Sequence, residues 1–424
     1  MSQISNFTLQ KLSIMVNADA PEGPQKRQVD LSANHLLELH YIEDITKANT
    51  VTAITINDTE SAIVSDLYGL EPIEITWTDN ALVPEGGNTF TQQMVIYDIK
   101  DRQIISGKKL KATLYCISKD AINNSSQKIS RRFGKGGGES ISEMVNSLMK
   151  NDIGTLKSVS VDPTLTKLSF VSPYWDPYTI IKWLGWRAIF EDKGTGSAGF
   201  LFWENPDGYQ FRAMDNVVRR ETTRTVRVNY VADETGEEFD NRFIDIGTFS
   251  VSGTSDVFRG LNLGSYASTT FTLDMKDFTY KEVPFNINTY YPAMKKLNPA
   301  SELPAFYEIF NTDVEARQPT RIMSKVLDTA MYTEGTYTQD LTKQLSQSMI
   351  RNQFFFNQSA VFEYEGDQTL RTGEVVEVNT WRGKQLEPDT KQSGRYIVGK
   401  IYRQYLTERD MMSTRVTLYR DSLG

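Results

Sequence analysis

Short runs of alternating apolar and polar residues occupy the chain up to about residue 117: FTLQKLSIMV, TVTAITI, IEITWT, TQQMVIYDI and KLKATLYCI. Each mixes β-branched, aromatic and aliphatic residues and is bounded by polar or Gly/Pro punctuation. Period-two alternation places successive side chains on opposite faces of a strand, so these runs predict a β barrel or sandwich over residues 1–122. The period then changes. Ile141, Met144, Val145, Leu148 and Met149 recur at helical spacing, and Ser140 with Glu143 in front of them forms a capping box. Asp176 and Pro177 open a second helix, lined by Ile180, Ile181, Leu184 and Ile189 with Trp183. GFLFWENPDGYQFRAMD reads as a hairpin turning at Asn205, Pro206, Asp207 and Gly208. Two helices beside a hairpin predict an α+β domain over 123–217, entered through the polar joint DAINNSSQKISRRFGKGGG. Alternation returns in TRTVRVNYVAD, so 218–250 begins a second β domain. Residues 251–325 are weakly patterned and read as an outer-domain excursion or a set of long loops. In 326–424, Leu341, Leu345 and Met349 share a helix face, and SAVFEYEG, GEVVEVNT, GRYIVGKIYRQYL and STRVTLYRD complete the second β domain. The fold class that follows is β-rich α+β and multidomain.

A length of 424 residues fits two to four domains. Its 20 Tyr, 21 Phe and 6 Trp favour strands and large contact surfaces. MSQISNFTLQ lacks the charged and apolar regions of a secretory leader, and no apolar run reaches membrane-spanning length. The lone Cys116 cannot form an intrachain disulfide. Net charge is 46 minus 54, or −8, which argues against a general nucleic-acid binder. The charge is uneven: Asp98 to Lys135 holds ten basic and three acidic residues, +7, leaving −15 elsewhere. Such a segment reads equally as a docking element for an acidic partner or as a solvated face.

RRFGKGGGESISEMV, residues 131 to 145, has the look of a phosphate cradle. Neither nucleotide spacing is met. A dinucleotide turn from Gly134 and Gly136 needs a glycine where Glu139 stands, and a P-loop needs Lys and Ser/Thr after the closing glycine, whereas Lys135 is followed by Gly136. His35 and His40 fall on opposite faces of a strand with no third ligand, so no metal is expected. No serine or cysteine nucleophile has a base. The carboxylates Glu191, Asp192 and Glu204, near Trp186 and Trp203, keep open a glycoside hydrolase. With 54 acids in the chain, accidental pairs are certain, so no catalytic residue and no cofactor is assigned.

The order of elements resembles the central hub subunit of the baseplate of large contractile-tailed bacteriophages. The likeness is carried by Arg131, Arg132, Phe133 and Gly134, a short loop, then Gly138, Glu139, Ser140 and Ile141 before a Met-bearing helix. Leu370, Arg371, Thr372, Gly373 and Glu374, ahead of a valine-rich strand, resemble the family's final barrel. The resemblance implies two tube-type β-barrel domains flanking outer α+β domains. It also implies a homotrimer that joins a sixfold tail tube to a threefold spike protein, touches other baseplate proteins, and passes DNA through its bore. The expected location is the virion tail baseplate, assembled in the host cytoplasm. A related hub from a contractile secretion system is the alternative; such chains usually carry the spike themselves, so the length favours a separate spike. Arg131, Arg132, Phe133, Lys135, Gly136, Gly137 and Gly138 are then the candidates for a partner interface, on a loop expected to order on assembly.

Overall fold

The computed structural model describes residues 7–18, 25–58, 63–64, 67–79, 88–106, 109–135, 137–192, 197–229, 242–252, 257–264, 266–287, 291, 294–298, 321–327, 329–332, 341–356, 358–365, 369–382, 387–389, 392–409 and 411–422. The chain is mostly β, and its largest element is one curled, half-barrel sheet of 14 strands. Seven strands come from the N-terminal part: Phe7–Ala18, Gln25–Asp30, Leu36–Asp44, Val51–Asp58, Pro72–Asp79, Asn88–Ser106 and Lys109–Ile117. The other seven are Thr222–Val228, Phe243–Ile246, Phe249–Ser252, Gln358–Glu365, Val375–Asn379, Gly394–Leu406 and Met411–Arg420. The two sets join where Leu36–Asp44 pairs antiparallel with Gly394–Leu406, in the register Ile401 to Glu43 and Arg403 to Tyr41.

Each set has its own core, as the alternation predicts. Leu12, Ile14, Leu39, Tyr41, Ile54 and Trp77 lie in the first, where Tyr41 and Trp77 pack on Phe90 at 5.3 and 4.4 Å between ring centres. Val226, Phe362, Val378, Tyr396, Val398 and Leu418 lie in the second. The C-terminal hairpin also reaches across, because Tyr405 and Met412 enter the first core and Tyr405 stacks on Phe7 at 3.9 Å. A third cluster fills the middle of the chain and holds the predicted helical stripe. Ser140 caps the helix Ile141–Ser147 through the expected box, and the stripe continues through a wider π-helical turn, Leu148–Ile153, ending at Gly154.

Several sequence expectations are corrected. The polar joint begins with a helix, Lys119–Ser126, because Asp120 and Asn124 turn inward to accept hydrogen bonds from Thr155 Oγ1 at 2.6 Å and Tyr178 N at 2.8 Å. Ile189 is not helical: the helix Pro177–Gly185 ends before it, and Ile189 pairs with Ala198 in a short ladder. His35 ends a 3-10 turn, Ala33–His35, and only His40 lies in the strand. Within 251–325, the described residues form the helix Val257–Leu263 and the strands Ala267–Asp274, Tyr280–Asn286 and Arg321–Leu327 of a separate sheet. Its buried positions include Ser268, Thr270 and Thr272, so hydrophobicity alone misses its period. No described helix is long and apolar enough to cross a membrane.

Candidate assembly interface

Side chains that backbone pairing alone does not explain gather at the join between the two halves of the large sheet and at the basic loop at 131–138.

At the join, alternation points Leu39, Tyr41 and Glu43 to one face of their strand, and Ile401, Arg403 and Tyr405 to the same side of the neighbouring one. Glu43 and Arg403 are therefore driven into the core, with side chains 0% and 1% exposed. They satisfy each other, Arg403 Nη1 donating to Glu43 Oε1 at 2.8 Å. Part of the remaining capacity is met by Leu370 and Thr372, while Arg403 Nε stays buried without a hydrogen-bond partner among the described residues. Arg403 Nη2 donates to the Leu370 carbonyl at 2.8 Å, and Thr372 offers both its amide and its hydroxyl to Glu43 Oε2 at 3.3 Å. Burial, the largest influence, works against the charge on Arg403, but the charge and hydrogen bond of Glu43 together with Tyr364 and Tyr41 outweigh it and raise the guanidinium pKa. Gly373 completes the clasp with φ +85; a Cβ there would meet the Trp203 ring at 2.5 Å. This loop thus ties the N-terminal strands, the central hairpin Phe200–Asn205/Gly208–Ala213 and the C-terminal strands together.

The basic loop is anchored on both sides. Arg132–Phe133 pairs with Phe170–Val171, and Glu139–Ser140 pairs with Lys167–Leu168. Arg131 forms a bidentate pair with Asp152, its second contact at 2.7 Å, and lies over the Phe133 ring. Arg132 donates to Ser169 Oγ at 3.2 and 3.3 Å, and Phe133 is buried against Phe170. Gly134 has a steric reason to be glycine: with φ +71, a Cβ would lie 2.0 Å from the Leu168 carbonyl oxygen. Lys135 and Gly137 are exposed, Gly138 is half-buried, and Gly136 lies outside the described residues. Glycine spacing marks the stretch as one joint, yet Gly134 is packed against the Leu168 backbone while Lys135 and Gly137 lie at the surface. The first-turn amide of Glu143 is taken by Ser140 Oγ at 3.2 Å, the capping role rather than phosphate binding. Within the +7 segment, Lys100, Arg102, Lys109 and Lys111 lie on the long hairpin Asn88–Ser106/Lys109–Ile117, where Lys100 pairs with Asp98 at 3.1 Å, Lys119 opens the helix Lys119–Ser126, and Arg131, Arg132 and Lys135 lie in this loop.

Neither a described protein family nor a curated protein matches the sequence. Solved structures do match the fold. The tail protein from Neisseria meningitidis MC58 superposes with a TM-score of 0.55 at 10% identity, over 98% of this chain and 97% of that one. The 43 kDa tail protein of prophage MuSo2 from Shewanella oneidensis superposes with 0.52 at 8% identity, over 98% and 100%. The fold is that of phage tail proteins.

In this tail-protein fold the carboxylates considered for hydrolysis are engaged elsewhere. Glu204 is buried in the central hairpin, in contact with Lys157 Nζ, and accepts from Thr50 N at 2.9 Å. Burial raises its pKa despite the opposing charge of Lys157. Asp192 pairs with Arg219, and Glu191 is exposed. Trp203 is buried under Gly373, while Trp186 is 47% exposed. His40 shares a short contact with Tyr402 Oη, 2.6 Å, across the join, and His35 with Ser32 Oγ at 2.8 Å. Cys116 is buried and its thiol pKa is pushed up by burial. The buried ion pair was within reach of sequence reasoning: Glu43 and Arg403 each sit in phase with inward apolar positions, where a charge needs a partner.

Proposed function

We propose that this protein is a baseplate hub of a contractile phage tail, with a structural rather than catalytic role. The observation that carries the reading is the joining of two seven-strand sets edge to edge through Leu36–Asp44 and Gly394–Leu406. On this reading each set is a tube-type domain, bounded near 1–122 and by 218–250 with 326–424, while 123–217 and 251–325 form the outer domains. Three copies would then present six near-equivalent β domains, matching a sixfold tube above and a threefold spike protein below. The net charge of −8 suits a DNA conduit, since an acidic wall does not hold phosphates by counterion release. Tail tube proteins and other baseplate proteins are the remaining partners, and the location is the virion tail baseplate after assembly in the host cytoplasm.

The test is the mass and symmetry of the purified protein. Light scattering should give three times the 48.2 kDa chain, and electron-microscope class averages should show a threefold ring with an open centre. A closed ring of other symmetry, or a particle without a bore, would sink the proposal. Glycan cleavage lost in Glu204→Gln, with folding unchanged, would transfer the argument to the hydrolase.

A further inference from the structure

Beside the basic loop lies a surface groove of about 430 Å³, lined by Ser169, Phe170, Trp175, Trp183 and Met331 among others. Its aromatic wall is built as a ladder. Phe133 stacks on Phe170 at 5.1 Å between ring centres, Phe170 meets Trp183 at 4.6 Å, and Trp183 meets Trp175 at 5.9 Å. Cations border this wall. Arg187 lies over the Trp183 ring with Cζ at 3.8 Å, and Arg132 reaches Ser169 on the groove lining. Next to Arg187, burial and the Arg187 charge push the Lys325 amine down to about 8. Nearby Arg131 and Lys128 already have carboxylates, Asp152 and Asp176. Among the described residues, no carboxylate pairs with Arg132, Arg187 or Lys325.

Two further features mark the groove as a surface rather than a packing defect. Val171 and Tyr174 beside it are 63% and 69% exposed, and Tyr174 holds a left-handed φ of +62 that a bulky side chain rarely adopts. Trp, Tyr and Arg are the side chains that dominate binding hot spots, and a cation on an aromatic face is attracted to the ring.

We infer that this groove is a docking site for an extended peptide segment of a partner protein, one that places an aromatic side chain on Trp175 and Trp183 and flanking carboxylates on Arg132 and Arg187. The charge argument selects an acidic segment, because an acid supplies the counter-charge that these guanidiniums lack. This goes beyond the hub reading and stands without it.

The probe is a fluorescein-labelled capped heptapeptide with phenylalanine between two pairs of glutamates, titrated by anisotropy against the full-length protein. The controls are the same peptide with glutamines and the same peptide with alanine for phenylalanine. Saturable binding is expected, weakened about tenfold or more by either control and falling with salt. Arg132→Ser, at an exposed side chain, should weaken it several-fold with an unchanged melting curve. Arg132→Ser with Arg187→Gln should weaken it about tenfold or more. Equal affinity for the glutamine peptide, no effect of Arg132→Ser, or no saturation up to about 1 mM would overturn the proposal. Self-association lost in the double variant, without peptide binding, would also overturn it in favour of a second copy of this chain.

Discussion

Charge is handled in opposite ways at the join and at the groove. At the join, Glu43 and Arg403 are out of water and their polar atoms meet Leu370 and Thr372. At the groove, Arg132 lies at the surface, and among the described residues its side chain donates only to the Ser169 hydroxyl. Buried paired charges contribute little net stability, yet breaking one is expensive; exposed cations cost little and remain available. The join therefore behaves as permanent structure that fixes register between two β halves. The groove keeps its binding capacity for something outside the chain.

The sharpest way to break this contrast is at the join. Arg403→Leu strands the Glu43 carboxylate in the core and should lower stability by about 3–5 kcal/mol in urea denaturation, whereas Arg132→Ser should change it by less than about 0.5 kcal/mol. Glu43→Leu combined with Arg403→Leu should recover most of the loss. If the double variant is no better than the single one, the pair is not the reason these strands hold together.

Glycines sharpen the same comparison inside the loop. Gly134→Ala forces a Cβ to within 2.0 Å of a backbone carbonyl that cannot yield, whereas Gly137→Ala meets nothing within 4 Å. We expect a loss of about 2–3 kcal/mol for the first and about 1 kcal/mol for the second, from backbone strain alone. Equal effects on the melting curve would mean that the loop is not pinned to Leu168. The capping box comes next in size. Ser140→Ala removes the acceptor for Glu143 N and should cost about 1 kcal/mol, read from the same denaturation series.

The local parts of the structure were legible in the sequence, and the long-range parts mostly were not. A strand such as KLKATLYCI, the Ser140–Glu143 box and the Asp176–Pro177 helix start are written in neighbouring residues, and all are found. Glu43 and Arg403 stand 360 positions apart, so no window contains both. Their inward phase was visible, but the identity of the partner was not. The Ser/Thr strand Ala267–Asp274 was missed for another reason: its inward Ser268, Thr270 and Thr272 are small polar residues that do not register as a buried face. The basic loop was singled out for its glycines and cations, while the groove beside it depends on Phe170, Trp175, Trp183 and Met331 converging from separate segments.

The smallest expected effect concerns pH at the helix that carries Trp183 into the groove. Asp176 caps Pro177–Gly185, accepting from Thr179 N at 3.0 Å and Thr179 Oγ1 at 2.8 Å, with Lys128 at 3.5 Å. Burial, the largest influence, would raise its pKa, but the Thr179 and Asn124 hydrogen bonds and the Lys128 charge together outweigh burial and lower it. A carboxylate with a depressed folded pKa adds stability above its unfolded value of about 3.9, and that stability fades as pH falls through the lower folded value. Asn at this position also caps but carries no charge. Asp176→Asn should therefore be less stable than the parent by a few tenths of a kcal/mol at pH 7, with the gap closing as pH falls through the lowered folded pKa of Asp176. A gap that stays constant from pH 7 to pH 2 would show that cap geometry, not the carboxylate charge, supports this helix and the aromatic wall it carries.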